Sequence, residues 1–440
     1  MNATSSMKLR RRAVAACVVS AVSIGILPGV AHAGPPPGAL AFEQKVDALV
    51  NKLIDDNNLP GMTVAVSKQG RLVLTKGYGY AYYGAPKTPM KASMRARIGS
   101  VSKAAMTGPA AYQLLKQHGK DPATTLLYGP DGFFEGKFDA DIAAKIDELT
   151  PDSPDQIAEK AIDWEDWYSK ITIQHLFDHT SGFNGGGDIA GTAKMFEVAE
   201  EDVTYEMAHR HFLRTRTLLF EPGTDSSYSN HGMGVFTLVI EQLSGKSYYD
   251  YVRDDYLETM NLHNRIRPEF AQPDSCDATN HKPGVGDPSS LGTDNLPAPV
   301  PFEFEEYNLG LAAGGWRASA QDLARVMTTL ENKYAWAEID SMGWFANSKG
   351  KLSHNGLIDG GASVVQMFPE GYKSSNNLDL SGVKVAIVTN IRNLSGIQSL
   401  ADQIALAVPT SNIEPDYNLW RSAIGTYPCL TAGSLTSISS

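Results

Sequence analysis

The chain has 440 residues and a formal charge of −11 at pH 7, with 20% charged and 42% hydrophobic residues. These proportions are typical of a globular protein and exclude an intrinsically disordered chain. The acidic balance argues against nucleic acid as a partner, because phosphates bind basic surfaces. Three cysteines are too few for a disulfide scaffold or a cysteine-rich zinc module.

The N-terminus has the pattern of a secretory signal peptide. Basic residues at positions 8 and 10–12 precede an uncharged run at 13–27, and a small-x-small sequence ends at Ala33. We therefore predict cleavage after Ala33, which leaves residues 1–33 as the signal peptide of a secreted or periplasmic protein. The apolar run is too short to span a bilayer comfortably, and no later stretch is longer, so we expect no stable membrane anchor.

Two cysteines follow the predicted cleavage site, Cys276 and Cys429. Disulfides form in the compartments that such a protein would reach. A bridge between these two cysteines and a pair of free thiols are both compatible with the sequence, which does not give their separation.

Both ends of the remaining chain carry patterns that favour one sheet and its flanking helices. Apolar residues recur at helical spacing in two segments, and β-rich runs are bounded by turn signals. The predicted elements, in chain order, are a helix over Phe42–Ile54, a hairpin of Met62–Ser67 and Arg71–Tyr78, strands over Ala362–Phe368 and Val383–Thr389, and a helix over Ser395–Val408.

The patterns between these ends are mostly helical, with long loops. We predict a mixed α/β (α+β) fold, in which helices flank an antiparallel sheet built from both chain ends and a mostly helical subdomain is inserted. The main domain covers 34–408. Its sheet subdomain covers about 40–98 and 310–408, its helical subdomain about 99–309, and residues 409–440 form a C-terminal tail.

The first candidate for chemistry is Ser100 with Lys103, in Gly-Ser-Val-Ser-Lys. A serine hydroxyl is a poor nucleophile until a base takes its proton, and on a helix residues i and i+3 share a face. Ser-x-x-Lys occurs three more times in the chain. Only the copy at 100 combines a preceding glycine with a following helical pattern, over Ala104–Gln117.

Tyr228-Ser229-Asn230 is the only Tyr-x-Asn in the chain and precedes a helical pattern. A tyrosine near a lysine ammonium can have its phenolate favoured, so Tyr228 is a candidate proton shuttle. Asn230 could donate to a substrate carbonyl or position the lysine. A tyrosine beside a helix N-cap without a catalytic role is the alternative.

His354-Asn355-Gly356 opens the C-terminal sheet pattern. A strand edge beside the serine could offer N–H groups, that of Leu357 in particular, to an acyl oxygen, and Gly356 permits close backbone approach. His354 could bind the tyrosine or the substrate. The alternative is a histidine in a β-turn.

Other chemistries have weaker support. His209 and His211 diverge on one helix, no His-Glu-x-x-His occurs, and no Gly-x-Ser-x-Gly occurs. The triple glycine at 185–187 lacks the lysine of a phosphate loop. We therefore expect neither a metal nor an organic cofactor.

Together the motifs at 100, 228 and 354 resemble the serine β-lactamase and penicillin-binding superfamily. The similarity extends over roughly 40–408 and favours the branch of class C β-lactamases, D-alanyl-D-alanine carboxypeptidases, D-aminopeptidases and family VIII esterases. Further motifs in the style of that branch are Gly77–Tyr80, His175–Gly182 and Gly314–Arg317.

The resemblance implies roles for individual residues. Ser100 would be the acylated nucleophile, Lys103 and Tyr228 would manage its proton, and Asn230 would position substrate. His354 stands where β-lactamases usually carry the lysine of Lys-Thr-Gly, which disfavours efficient penicillin hydrolysis. The sequence also lacks an arginine between Arg325 and His354 for a free C-terminal carboxylate, although Lys349 or Lys351 could serve.

The resemblance therefore favours a serine hydrolase that acts through an acyl-enzyme on a small-molecule or peptide substrate. Our first choice of substrate is an amide or peptide bond that involves a D-amino acid. A carboxylic ester of the family VIII type is next, and β-lactams rank below it. The non-enzymatic alternative is a catalytically idle penicillin binder, and the oligomeric state stays open.

Overall fold

The computed structural model describes residues 35–83, 86–148, 164–282, 298–299 and 310–420. A seven-stranded antiparallel sheet lies at its centre, in the order β3-β2-β1-β12-β11-β10-β9, and a three-stranded sheet has the order β4-β8-β5. The strands are β1 Gly61–Lys68, β2 Arg71–Tyr82, β3 Thr88–Pro89, β4 Ala96–Arg97, β5 Arg267–Pro268, β6 His281–Lys282, β7 Ala298–Pro299, β8 Trp316–Ala318, β9 Phe345–Ala346, β10 Leu352–Ile358, β11 Gly361–Met367 and β12 Val383–Thr389.

The sheet joins the two ends of the chain, as predicted. Strand β1 pairs with β2 on one side and with β12 on the other, where Val64 lies opposite Ile387 and Val66 opposite Val385. Both β1 and β12 are buried along their length, which suits their continuous apolar sequences. The mixed helical and antiparallel fold is confirmed.

Helices cover both faces of this sheet. The described α-helices are α1 Pro37–Asn57, α2 Gly108–Gln117, α3 Asp139–Glu148, α4 Trp164–Ser169, α5 Ile173–Phe177, α6 Ile189–Phe196, α7 Tyr205–Thr215, α8 Asn230–Ser244, α9 Tyr248–Tyr251, α10 Ala320–Lys333, α11 Trp336–Asp340 and α12 Ile397–Ala407. Helices α1 and α12 pack together on one face, where Phe42, Val46 and Val50 are fully buried as their spacing predicts. Helix α10 packs on the other face against β1 and β12.

The helices between the sheet-forming ends share a second apolar core. Phe177 of α5 packs against Phe236 of α8 with ring centroids 4.3 Å apart, and α2 and α8 are in contact. This core also receives residues from the side of the sheet that α10 covers. The boundaries of the two predicted subdomains stay a prediction.

A buried network of ion pairs joins the three-stranded sheet β4-β8-β5 to neighbouring segments, next to the part of the chain that leads to Ser100. Arg95 contacts Asp277 at 2.8 Å and Arg317 contacts the same carboxylate at 2.9 Å, while Arg97 pairs with Glu269. These partners come from three separate parts of the chain, so the network stabilises β4 directly before the candidate nucleophile. Breaking one member would leave buried charges uncompensated.

Cys276 is buried and disulfide-bonded. The other two cysteines, Cys17 and Cys429, lie outside the described residues, so the pairing with Cys429 stays a prediction. The predicted signal peptide and the tail beyond 420 also lie outside them. Within the described ranges, no helix is both long and apolar enough to cross a membrane.

Candidate active site

Ser100 lies between strand β4 and a helix. Gly99 adopts a φ of +49°, and the helical backbone begins at Val101. A Cβ on Gly99 would lie 2.9 Å from the Leu357 nitrogen. Glycine at this position therefore allows the chain to turn and to approach strand β10 closely.

Lys103 is fully buried and contacts three oxygen atoms. Its Nζ lies 3.0 Å from Ser100 Oγ and 2.8 Å from Asn230 Oδ1, and it also donates to the backbone oxygen of Ala313. Each of these acceptors is uncharged, so burial dominates and lowers the pKa of Lys103 to about 7. The ammonium therefore loses its proton far more easily than that of an ordinary lysine.

The geometry specifies where the lone pair of a neutral Lys103 points. The Asn230 carbonyl oxygen and the Ala313 carbonyl oxygen only accept hydrogen bonds, so they take the two N–H bonds of a neutral amine. The lone pair then faces Ser100 Oγ. Lys103 can thus accept the proton of Ser100, which is the task of a general base.

Tyr228 contacts the same serine from a second direction. Its phenol is hydrogen-bonded to Ser100, and burial raises the pKa of Tyr228 to about 12 against the lowering effect of that bond. The Lys103 Nζ lies 4.9 Å from the centroid of the ring. The expectation of a favoured phenolate is wrong, because the burial that favours the phenol also removes much of the lysine charge that would stabilise the anion.

The arrangement around Ser100 is therefore directional. Tyr228 and Lys103 are both hydrogen-bonded to Ser100. When Lys103 is neutral, Ser100 can donate to its lone pair and the Tyr228 phenol can donate to Ser100 Oγ. A serine with a base on one side and an acid on the other can attack a carbonyl and then assist departure of the leaving group. The catalytic roles of the three residues stay predictions.

Asn230 begins helix α8, with Ser229 as the N-cap accepting from the Gly232 nitrogen. The cap determines the direction of the Asn230 side chain, whose oxygen binds Lys103. His179 supports the same turn, since its Nδ1 accepts from the Ser229 nitrogen at 3.2 Å. This contact gives His179 a structural role beside the candidate site.

His354 lies in strand β10 and not in a β-turn. Its Nδ1 lies 2.7 Å from the Asn355 carbonyl oxygen, and burial, helped by the Lys103 charge, lowers its pKa to about 3. The side chain is 3% exposed. His354 is therefore neutral at pH 7 and does not supply the positive charge of the lysine that it replaces.

Gly356 allows β10 to contact the segment before the nucleophile. A Cβ at this position would lie 1.9 Å from the Ile98 carbonyl oxygen, so no larger residue fits. Ser363 on the neighbouring strand donates to the same oxygen at 2.6 Å. These contacts place the β10 edge directly beside Gly99 and Ser100.

Leu357 can offer its backbone N–H to the site. The two-residue turn Asp359–Gly360 joins Ile358 to Gly361. These two residues form a hydrogen-bonded pair of the antiparallel ladder, and the next pair, Leu357 with Ala362, is a non-hydrogen-bonded pair. We infer that the N–H of Leu357 points away from β11, toward the edge that β9 covers only at Leu352 and Ser353. With the Ser100 nitrogen it could stabilise an oxyanion.

A cleft of about 430 Å³ opens beside Ser100. Its walls include Asn230 and Leu357, and also Arg392, which contacts Asp359 at 2.7 Å. Neither this ion pair nor the role of the Ala313 carbonyl oxygen as an acceptor for Lys103 was predicted from the sequence. The only local signal for Ala313 was the Gly314–Arg317 motif that follows it.

Lys349 and Lys351, the two proposed substitutes for a carboxylate-binding arginine, have other partners. Lys351 contacts Asp402 at 3.1 Å, and Lys349 donates to the Lys373 carbonyl oxygen at 3.4 Å. Both ammonium groups are therefore engaged by other oxygen atoms, so the structure does not support a role for either lysine in binding the C-terminal carboxylate of a substrate.

The histidines of the helical subdomain form an internal hydrogen-bonded chain. His209 Nε2 lies 2.6 Å from the Tyr128 hydroxyl, and His209 Nδ1 lies 2.9 Å from His231 Nε2. Burial lowers the pKa of His209 to about 3. Within the described ranges, no cluster of three or more histidine, cysteine, aspartate or glutamate side chains could bind a metal ion.

Comparisons with known proteins identify the family of the chain. The family model described as Beta-lactamase matches residues 46–408. The mouse mitochondrial serine beta-lactamase-like protein LACTB is 22% identical, over 86% of this chain and 83% of its own length. An N-acetylmuramyl-L-alanine amidase of Bacillus subtilis is 24% identical, over 67% of this chain and 64% of its own length.

Solved structures show the same fold. A class C beta-lactamase covers 86% of this chain and 97% of its own, with a TM-score of 0.55 and 16% identity. EstCE1, a hydrolase with promiscuous acyltransferase activity, covers 86% and 99%, with a TM-score of 0.54 and 18% identity. Since the family model spans most of the sequence, the chain belongs to the beta-lactamase family and is a serine hydrolase.

Proposed function

We propose that this hydrolase cleaves an amide or peptide bond involving a D-amino acid, through an acyl-enzyme on Ser100. The observation that carries the proposal is the pair of proton carriers at Ser100, a buried Lys103 amine at 3.0 Å and the hydrogen-bonded Tyr228 phenol. An amine is a poor leaving group until it is protonated, so amide cleavage needs an acid as well as a base.

Acylation begins with attack of Ser100 Oγ on the carbonyl carbon. Neutral Lys103 takes the serine proton, and the new C–O bond turns the carbonyl oxygen into an oxyanion. The N–H groups of Ser100 and Leu357 donate to that oxyanion. Asn230, whose oxygen binds Lys103, keeps the amine directed at Ser100.

The tetrahedral intermediate collapses when the leaving nitrogen receives a proton from Tyr228. The C–N bond breaks, the amine departs, and the ammonium of Lys103 returns a proton to Tyr228. In deacylation, neutral Lys103 accepts one proton from water as the water oxygen attacks the ester carbonyl. The C–O bond to Ser100 then breaks, and the ammonium of Lys103 returns that proton to Ser100 Oγ, which releases the carboxylic acid.

The amide bond has support from the relative named as an amidase. The D-amino acid has support from the resemblance to D-peptidases in the motifs at 100, 228 and 354. A β-lactam ranks lower, because the neutral His354 offers its carboxylate no cation. The complete set of Ser100, Lys103, Tyr228 and Asn230 argues against an idle penicillin binder.

A carboxylic ester is the second candidate. Leu357 is 40% exposed beside Ser100 and gives the mouth of the site an apolar wall. An ester also needs less protonation of its leaving group than an amide does. For either substrate we propose action outside the cytoplasm, supported by the signal-peptide pattern that ends at Ala33.

Three substrates test the proposal side by side: N-acetyl-D-Ala-D-alaninamide, p-nitrophenyl acetate and a chromogenic cephalosporin. We expect turnover of the D-peptide amide, with the product amine detected by mass spectrometry. Turnover of the ester alone would contradict amide cleavage and favour the second candidate. No turnover of any substrate, with stable labelling by fluorescent penicillin, would favour the binder.

A variant pair tests the nucleophile. Ser100→Ala should abolish both turnover and the covalent adduct. Ser102→Ala is the matched control, since Ser102 lies two residues away and its Oγ contacts only the Trp316 nitrogen, at 3.4 Å, among the hydrogen bonds of the described chain. An adduct that persists in Ser100→Ala would overturn the assignment of the nucleophile.

A further inference from the structure

An aromatic ring that no motif predicted lies beside the proposed proton donor. Phe345 belongs to the short strand β9, where it pairs with Ser353. Its ring centroid lies 5.0 Å from that of His354, 6.4 Å from that of Tyr228 and 6.2 Å from that of His179. Despite these neighbours Phe345 is 48% exposed, and Tyr228 is 44% exposed. The rings of Phe345 and Tyr228 therefore present an open apolar surface to solvent.

The position of Tyr228 identifies the part of the substrate that would meet this surface. In the proposed reaction, Tyr228 gives its proton to the leaving atom, so the leaving group must lie against Tyr228. Phe345 is the exposed aromatic residue next to it. The cleft that contains Arg392 and Asp359 is lined by Leu357 and Gly314 instead, and among the residues that the structure describes its lining does not include Tyr228 or Phe345.

The charges of the two regions differ. The histidine rings next to Phe345 are neutral at pH 7, since burial lowers the pKa of His179 to about 4 and that of His354 to about 3. Lys351 is paired with Asp402. The exposed ion pair Arg392–Asp359 lies at the other region, on the cleft.

We propose that the exposed rings of Phe345 and Tyr228, packed on the buried His354, form a leaving-group subsite that selects an uncharged apolar or aromatic group and discriminates against a carboxylate. This proposal rests on the proposed reaction at Ser100, because the acid role of Tyr228 gives the subsite its orientation. It favours amides and esters with neutral leaving groups over peptides that end in a free carboxylate. An apolar group gains by covering the exposed rings. A carboxylate would lose solvation there, and the Lys103 amine near Tyr228 is buried and already bonded to three oxygen atoms, so it is poorly placed to bind that carboxylate.

Two esters that share an acetyl group and a phenyl ring test the preference. The leaving group of one carries a para-carboxamide and that of the other a para-carboxylate. We expect kcat/KM for the carboxamide to exceed that for the carboxylate by at least tenfold. Acylation of Ser100 is followed by intact mass as well as by turnover, so that slow deacylation does not hide the preference.

Variants of Phe345 assign the preference to this ring. Phe345→Arg should reduce the carboxamide-to-carboxylate ratio at least tenfold, and Phe345→Ala should lower kcat/KM for the carboxamide ester mainly through KM. Leu40→Arg is the matched control, because Leu40 is 42% exposed on helix α1 and the substitution adds the same charge elsewhere.

The outcomes separate this proposal from the proposed function. Equal or greater kcat/KM for the carboxylate ester, an unchanged ratio in Phe345→Arg, or no acylation by either ester would overturn the subsite. Failure of the D-peptide amide as a substrate would overturn the proposed function alone, because neither aryl ester contains an amide bond at its reacting carbonyl or a D-amino acid.

Discussion

The Nζ of Lys103 lies 3.0 Å from the Oγ of Ser100, inside a shell of uncharged acceptors. Because the three acceptors that contact the ammonium are uncharged oxygens, the cost of burial dominates and lowers the pKa of the lysine to about 7. A buried amine that is neutral near physiological pH is suited to take the proton of Ser100.

The pH profile of kcat/KM should follow this lysine. Activity requires the neutral amine, so kcat/KM should rise with pH, reach half its maximum near pH 7 and be lost as pH falls below that value. The pKa of Tyr228, raised to about 12, should leave the alkaline side flat to about pH 10. Initial rates in constant-ionic-strength buffers measure the profile.

Asn230→Asp provides a directed test of the same assignment. It places a carboxylate where an uncharged oxygen now lies 2.8 Å from Lys103, which should raise the pKa of the lysine by about 1–3 units. The acid limb of the pH profile, where kcat/KM rises with pH, should then move to higher pH. Asn377→Asp, on an exposed turn, is the control. An acid limb that does not move in Asn230→Asp would contradict the role of Lys103.

Tyr228→Phe should affect amides more than activated esters. The substitution retains the ring but removes the proton donor to the leaving nitrogen, so kcat for an amide should fall about 10²–10⁴-fold. A p-nitrophenolate departs without a proton, so the same variant should lose much less activity on its acetate ester. Equal losses on the two substrates would assign Tyr228 to positioning and not to acid catalysis.

Local patterns explain how much of the fold was predictable. The helix that starts at Pro37 buries Phe42, Val46 and Val50 at the predicted spacing, and the predicted strand Val383–Thr389 matches β12 residue for residue. The local sequence of these segments indicates which of their residues are buried, because a periodic apolar face must pack against the protein core. Antiparallel pairing of β1 with β2 and of β10 with β11 follows from the short turns between them, whereas the pairing of β1 with β12 depends on the folded chain.

The parts of the site that were missed depend on contacts between distant segments. Phe345 lies beside His354 because two residues of β9 pair with β10, and nothing in the local sequence specifies that register. The prediction that Lys103 favours the phenolate form of Tyr228 was wrong for a related reason. The sequence suggests that Lys103 is a cation, whereas its charge state depends on burial by the folded chain.

Gly356→Ala should displace Ser100 without removing any catalytic side chain, so it tests how much activity depends on the position of the serine. The added methyl would meet the Ile98 carbonyl oxygen and push the segment before Ser100 away from β10. We expect kcat to fall at least about 10²-fold, as for a displacement of about 1 Å, with a loss of about 1–3 kcal/mol in the free energy of unfolding. Thermal denaturation and steady-state kinetics measure the two effects.

Gly187→Ala is the matched glycine control, because a Cβ there meets no atom within 4 Å. It should retain its stability within about 0.5 kcal/mol. Full activity in Gly356→Ala would show that β10 does not need to approach Ile98 so closely, and would remove the argument for the Leu357 N–H as an oxyanion donor.

The disulfide of Cys276 should join it to Cys429. Such a bridge closes a long loop, and its removal in Cys276→Ser should lower the free energy of unfolding by about 2–5 kcal/mol. Non-reducing peptide mapping should recover one cross-linked peptide pair. Two alkylatable thiols in the native protein would contradict the bridge.

His354→Lys should shift selectivity toward substrates that carry a carboxylate. The neutral imidazole would be replaced by a cation beside the leaving-group region, which should lower KM for a cephalosporin carboxylate. The same charge should lower the pKa of Lys103 further and move the acid limb of the pH profile below pH 7. His354→Gln, which stays neutral, is the control for the loss of the imidazole. If the ratio of cephalosporin to ester hydrolysis and the acid limb are both unchanged in a folded His354→Lys variant, His354 does not face the substrate.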